Sequence, residues 1–154
     1  METANILDNV TERLSTLIVQ RVAFEAKYGK QAAHFLDNLP GLFRLYHRLT
    51  FDLEVATDVR RLAASVAVYL AEQHDYCGEA NRGVEGLIDD IWLAHRALAL
   101  LLDRVPATTL QRHWLMPAPF EHVIDLAHNI GSIEPIVPSR VLTLLKQFLD
   151  LPSE

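Results

Sequence analysis

The sequence is poor in several residue types, and each shortage excludes a class of protein. The 154-residue chain has one cysteine, Cys77, which excludes an internal disulfide or a cysteine-rich zinc site and fits a reducing compartment. It has only six glycines and seven prolines, and 50% of its residues are hydrophobic, so its composition is neither disordered nor collagen-like. We therefore expect one folded domain over residues 1–154, located in the cytoplasm.

Basic residues and long apolar runs are scarce as well. Fourteen Lys and Arg against twenty Asp and Glu give a net charge of −6 at pH 7, the wrong sign for binding nucleic acid through its phosphates. The longest apolar-rich stretches, residues 62–71 and 97–102, are much shorter than the roughly 20 residues of a membrane-spanning helix. We expect neither a nucleic-acid partner nor a membrane span.

Helical periodicity is present along almost the whole chain. Apolar side chains recur at steps of three and four residues, and no strand-like alternation occurs. The sequence predicts an all-α bundle of about six to seven helices around a central hairpin. The helix that starts at residue 84 or 87 is apolar on so wide an arc that it should lie at the centre. Helical segments are predicted over residues 3–28, 30–38, 42–53, 59–73 and 84 or 87 to 103, with three shorter pieces that pack on this core over residues 108–113, 119–128 and 138–149.

The hairpin over residues 58–102 carries a recognisable pattern. A helix ending in Tyr69-Leu70 is followed by a polar loop with Asp75 and Glu79, and then by a helix start with the sequence Gly86-Leu87-Ile88-Asp89-Asp90. This pattern resembles the YkvA-like family of short helical domains of unknown function. In the loop, Tyr76-Cys77-Gly78 replaces the Ile-Pro that is usual in that family. The resemblance implies a helical hairpin whose acidic turn is the candidate functional site, and it implies no particular reaction.

The acidic pair Asp89-Asp90 has two interpretations. Carboxylates at a helix N-terminus are stabilised by the unpaired N–H groups and the dipole of the helix. Consecutive helical residues point about 100° apart, so we expect one carboxylate to face solvent and the other to turn inward. The inward one would be held by the loop of residues 74–86, with His74 and Arg82 as donors. Alternatively, a non-catalytic site for a divalent metal ion would be formed by Asp75, Glu79, Asp89 and Asp90.

A second candidate site combines His47, the dipeptide His74-Asp75 and Asp125. Metal-dependent phosphohydrolases of the HD superfamily are also all-α and use His, His-Asp and Asp in this chain order. Two imidazoles and two carboxylates can hold a divalent cation that activates water. This alternative requires all four side chains to converge on one ion.

The helix over residues 119–128 offers a third row of polar side chains. Glu121, Asp125 and His128 share one face, where they could act as metal ligands. The simpler interpretation is a solvated face on which Asp125 pairs with His128.

Two further expectations concern single side chains. His95 stands alone on an apolar helix, where a histidine is more often a satisfied core residue than a ligand. Trp114 and Met116, which are framed by His113 and Pro117, are expected to form an exposed apolar edge that suggests a partner surface.

The first hypothesis for function is a protein-interaction or self-associating module without catalytic activity or a cofactor. It depends on the lack of a complete catalytic set and on the apolar stripe of residues 3–28, which could bury its leucines in a homodimer. The alternatives are the HD-type phosphohydrolase, with His47, His74, Asp75 and Asp125, and the non-catalytic acidic metal site.

Overall fold

The chain folds into short helices joined by tight connections. The structure, a computed structural model, describes residue 12 and residues 21–71 and 87–150. No strand occurs in these residues, and the all-α prediction is confirmed, with more helices than the six to seven expected. The helices are α1 (Arg21–Tyr28), α2 (Lys30–Asp37), α3 (Leu39–Thr50), α4 (Thr57–Ala71), α5 (Ile88–Leu102), α6 (Ala107–Gln111), α7 (Phe120–His128), a 3-10 helix (Ile130–Ile136) and α8 (Ser139–Phe148).

Helix α5 lies at the centre of the bundle, as its apolar arc predicts. It contacts α2, α3, α4, α7, α8 and the 3-10 helix. Its Trp92 side chain is fully buried, and the Tyr46 hydroxyl of α3 donates a hydrogen bond to the carbonyl oxygen of Ala94 in α5. Burial raises the pKa of Tyr46 well above its usual value, so this hydroxyl remains a donor. Helices α4 and α5 pack against each other as the predicted hairpin.

Helix boundaries differ from the predictions where proline or a cap is involved. Gly29 adopts a φ of 100° and ends α1, as predicted. Helix α3 begins at Leu39 instead of residue 42, because Pro40 fits the first turn, where a backbone N–H has no helical partner. Helix α4 begins at Thr57 instead of residue 59, so Asp58 lies in its first turn, where its Oδ1 accepts the Val59 N–H at 2.9 Å.

Two expectations about exposure and membranes can be compared with this fold. Trp114 is buried instead of forming an exposed edge, because its ring packs over Gly41 and against Phe120 and its Nε1 donates to the Ala118 carbonyl at 2.7 Å. Met116 remains 38% exposed. Within residues 21–71 and 87–150, no helix is both long and apolar enough to cross a membrane.

The contact of Trp114 with α3 requires a glycine at position 41. A Cβ there would lie 2.5 Å from Trp114 Cζ3 and 2.5 Å from Met116 Cγ. We expect Gly41→Ala to reduce the free energy of unfolding by about 1 to 3 kcal/mol, because overpacking outweighs the better helix propensity of alanine. Gly131→Ala is the matched control: a Cβ at 131 meets nothing within 4 Å. Urea unfolding measures the stability of both variants. If Gly41→Ala were as stable as the parent and Gly131→Ala, the close packing of Trp114 on Gly41 would be contradicted.

Candidate functional site

Three ionisable side chains are fully buried on the central helix: Asp89, Asp90 and His95. The expectation that one carboxylate of the acidic pair faces solvent is wrong, since both are inside. The two carboxylates still point in different directions, but α5 is surrounded by other helices, so both directions lead into protein. Charged or polar groups are rarely buried this completely unless they have hydrogen-bond partners.

Asp89 is held from the preceding helix. The hydroxyl of Tyr69, near the end of α4, donates a hydrogen bond to Asp89 Oδ2 at 2.6 Å. The Tyr69 ring also packs against Phe148 of α8, with ring centroids 5.4 Å apart. The donors expected from the loop, His74 and Arg82, lie outside the described residues. Tyr69 was missed as a donor, although it is part of the pattern quoted for the hairpin.

The acidic metal site is only partly within the described chain. Asp89 and Asp90 are adjacent at the start of α5, whereas Asp75 and Glu79 lie outside the described residues. The convergence of the four carboxylates on one ion therefore stays a prediction.

His95 is a core histidine with both ring nitrogens in hydrogen bonds. Nδ1 lies 2.8 Å from the Ile91 carbonyl oxygen, and Nε2 lies 3.3 Å from Nδ2 of Asn38. The imidazole and the Phe35 ring are nearly perpendicular, with ring centroids 4.9 Å apart. Burial lowers the pKa of His95 to about 4, so the ring is neutral at pH 7. A carbonyl can only accept, so Nδ1 carries the proton and Nε2 accepts from Asn38.

A cleft of about 390 Å³ lies on the outer side of Asn38. Its walls are α2 and α7, both of which pack against α5. Asn38 is more than nine-tenths buried and follows the last residue of α2. Asparagine at this position commonly caps the next helix, but the Asn38 side chain makes no capping bond to α3 and bonds His95 instead. The lining residues are His34, Asp37, Asn38, Ala118, His122, Asp125 and Leu126.

The two walls of the cleft offer the same pair of side chains. His34 and Asp37 on α2, like His122 and Asp125 on α7, are three residues apart and so share a helix face. The repeated His-x-x-Asp spacing is visible in the sequence, which suggested two other groupings for Asp125: the HD-type set and the row with Glu121 and His128. Neither Glu121 nor His128 lines the cleft, and the described chain contains no ion pair between Asp125 and His128.

The charges around the cleft are unevenly compensated. Arg21 Nε contacts both carboxylate oxygens of Asp37, at 2.8 and 3.0 Å, and its Nη1 contacts Glu25 Oε1 at 2.9 Å. The hydrogen bond to Asp37 raises the pKa of Arg21. Asp125 has no ion-pair partner within residues 21–71 and 87–150. Two of the lining residues, Asp37 and Asp125, are carboxylates and none is Lys or Arg. Arg21 offsets Asp37 from outside the lining, so Asp125 is the carboxylate of the cleft without a compensating charge.

The HD-type set is not brought together by the described residues. His47 does not line the cleft that contains Asp125; its ring lies near the Phe43 and Phe51 rings, at centroid distances of 6.3 and 5.4 Å. Partial burial lowers the pKa of His47. His74 and Asp75 lie outside the described residues. Among those that are described, no three His, Cys, Asp or Glu side chains are grouped closely enough to hold a metal ion.

Residues 51–54, which directly follow α3, are joined by polar contacts to residues 112–116. His113 Nε2 lies 2.8 Å from Asp52 Oδ2, and Arg112 Nη1 lies 3.2 Å from Glu54 Oε1. The hydrogen bond from His113 is the main reason that the pKa of Asp52 is below its ordinary value. Apolar side chains on these two segments are exposed. We call three of them the end patch: Phe51 (63% exposed), Leu53 (82%) and Leu115 (50%). Met116 is not part of it, because its Cγ lies over Gly41 in the first turn of α3, about 15 Å from Phe51 at the other end of that helix.

Comparison of the chain with protein-family models, with curated proteins and with solved structures found no match in any of the three. The resemblance of residues 58–102 to the YkvA-like family therefore stays a prediction.

Proposed function

We propose that this chain is a non-catalytic protein-interaction module that self-associates through the end patch. The observation that carries the proposal is the exposure of three large apolar side chains on two segments that are already fixed to each other by the Asp52–His113 and Arg112–Glu54 contacts. Exposed apolar side chains grouped in this way are typical of interaction sites, whereas single ones are common everywhere. The single cysteine of the sequence supports a reducing compartment such as the cytoplasm as its location.

A second copy of the same chain is the partner that the charges favour. The Arg112 and Glu54 side chains are 53% and 77% exposed and lie side by side at the edge of the end patch. A surface that carries both signs is complementary to itself under two-fold symmetry, because the intact Arg112–Glu54 pair of one copy can lie against that of the other in reversed order. The end patch would then be the apolar centre of the interface and these charges its rim.

The test is the molar mass in solution as a function of concentration, measured by light scattering. We expect the mass to rise from 17.4 kDa toward twice that value, and Leu53→Asp to keep it near the monomer value. Val68→Asp is the matched control, since Val68 is 60% exposed and lies about three turns along α4 from the end of that helix nearest in sequence to the end patch. A constant monomer mass, or equal effects of the two variants, would overturn the proposal.

The variant Leu14→Asp distinguishes dimerisation through the end patch from dimerisation through the apolar stripe of residues 3–28, here called the N-terminal stripe. Of that stripe, Phe24 is buried and Tyr28 packs against the protein's own core, whereas Leu7, Val10, Leu14 and Leu17 lie outside the described residues. If Leu14→Asp dissociated the dimer and Leu53→Asp did not, the N-terminal stripe would be the interface and the end patch would be excluded.

A further inference from the structure

We infer that the cleft between α2 and α7 is a binding site for a small organic cation with an ammonium or guanidinium group. This inference concerns a different surface from the end patch and does not depend on self-association. The cleft has a volume of about 390 Å³, which is within the range of small-molecule binding sites.

The first argument is the fixed orientation of the Asn38 carboxamide. Neutral His95 uses Nδ1–H for the Ile91 carbonyl, so its Nε2 can only accept, and the Asn38 amide group must point toward it. The Asn38 oxygen is then left for the cleft, and no donor within residues 21–71 and 87–150 contacts it. This oxygen is not among the buried polar atoms that lack a hydrogen-bond partner, so it is accessible from the cleft, where a ligand N–H can replace water on it.

The second argument is the charge of the walls. Asp125 lies on the wall opposite Asp37, which is bound by Arg21. No Lys or Arg lines the cleft, and no basic side chain within residues 21–71 and 87–150 pairs with Asp125. An ammonium group in the cleft could donate to Asp125 and to the Asn38 oxygen, and charge-assisted hydrogen bonds are the stronger kind. Leu126 and Ala118 offer apolar surface to an attached alkyl chain.

The geometry favours an organic cation over a metal ion. A transition metal needs its ligands to converge at about 2.0 to 2.2 Å, and no three of the described His and Asp side chains are grouped in that way. The atoms of an organic cation spread over several ångströms and can reach both walls without such convergence.

The test is an NMR titration of the whole chain with butylammonium, monitoring the side-chain amide signals of Asn38. 1-Butanol, which has nearly the same shape and no charge, is the control ligand. We expect saturable shifts with butylammonium, much weaker ones with 1-butanol, and a Kd raised about tenfold or more by Asp125→Asn. Glu121→Gln is the matched control variant, because it removes an exposed carboxylate from the same helix outside the cleft.

Three outcomes would overturn the inference. Equal binding of butylammonium and 1-butanol would exclude charge recognition. Equal weakening by Asp125→Asn and Glu121→Gln would show a general charge effect instead of a site. Stoichiometric Zn²⁺ binding that His122→Gln abolishes, without butylammonium binding, would make the cleft a metal site.

Discussion

The free energy of unfolding is expected to fall by about 3 kcal/mol as the pH is lowered from 6.5 to 4. His95 has a pKa of about 4 in the folded protein and an ordinary value of 6.5 when exposed. Between these values the unfolded chain binds a proton at this position and the folded chain does not, so stability is lost as the pH decreases. Denaturant unfolding curves, recorded through tryptophan fluorescence at several pH values in this window, measure the effect.

His95→Gln should remove most of this pH dependence, whatever its effect on stability at pH 7. His47, whose pKa is also lowered by burial, contributes in the same direction and accounts for part of what remains. Asp52, whose pKa lies below its usual 3.8, affects stability only at lower pH. His122→Gln serves as the control because His122 is exposed. If His95→Gln retained the full slope of the parent between pH 4 and 6.5, the assignment to His95 would be wrong.

The helices and the place of α5 could be predicted because they follow from local spacing. Apolar side chains on a wide arc of α5 can be buried only if other helices cover it from several sides, which is where the structure places it. The same coverage explains why the prediction for the acidic pair failed. The angle between Asp89 and Asp90 follows from helix geometry, but the exposure of each depends on which helices lie opposite.

The cleft could not be predicted because it depends on two distant segments. Periodicity shows that His34 and Asp37 share one face and that His122 and Asp125 share another. It cannot show that the two faces meet, since this results from both helices packing on α5. The role of Asn38 was hidden for the same reason, because its partner His95 is far along the chain.

The connection around Pro40 and Gly41 shows how local signals can mislead. A Pro-Gly pair commonly marks a turn, and the sequence suggested an interruption there. In the structure both residues are in the first turn of α3, and Gly41 is needed for the close approach of Trp114. Trp114 was likewise expected at an exposed edge, whereas the tertiary contact with Gly41 buries its ring.

Replacing Asp89 by alanine is expected to reduce the free energy of unfolding by about 2 to 3 kcal/mol, because the Tyr69 hydroxyl loses its buried acceptor. Tyr69→Phe should have a smaller effect, and the double variant should lose less than the two single changes together, since one contact is removed in both. Asp103→Ala is the matched control, an exposed aspartate after the other end of α5, with an expected change below about 0.5 kcal/mol. Urea unfolding of the four variants measures these changes in the free energy of unfolding. If Asp89→Ala were as stable as Asp103→Ala, the carboxylate would not be needed for folding, and the proposed acidic metal site with Asp75, Glu79 and Asp90 would become the better explanation for its burial.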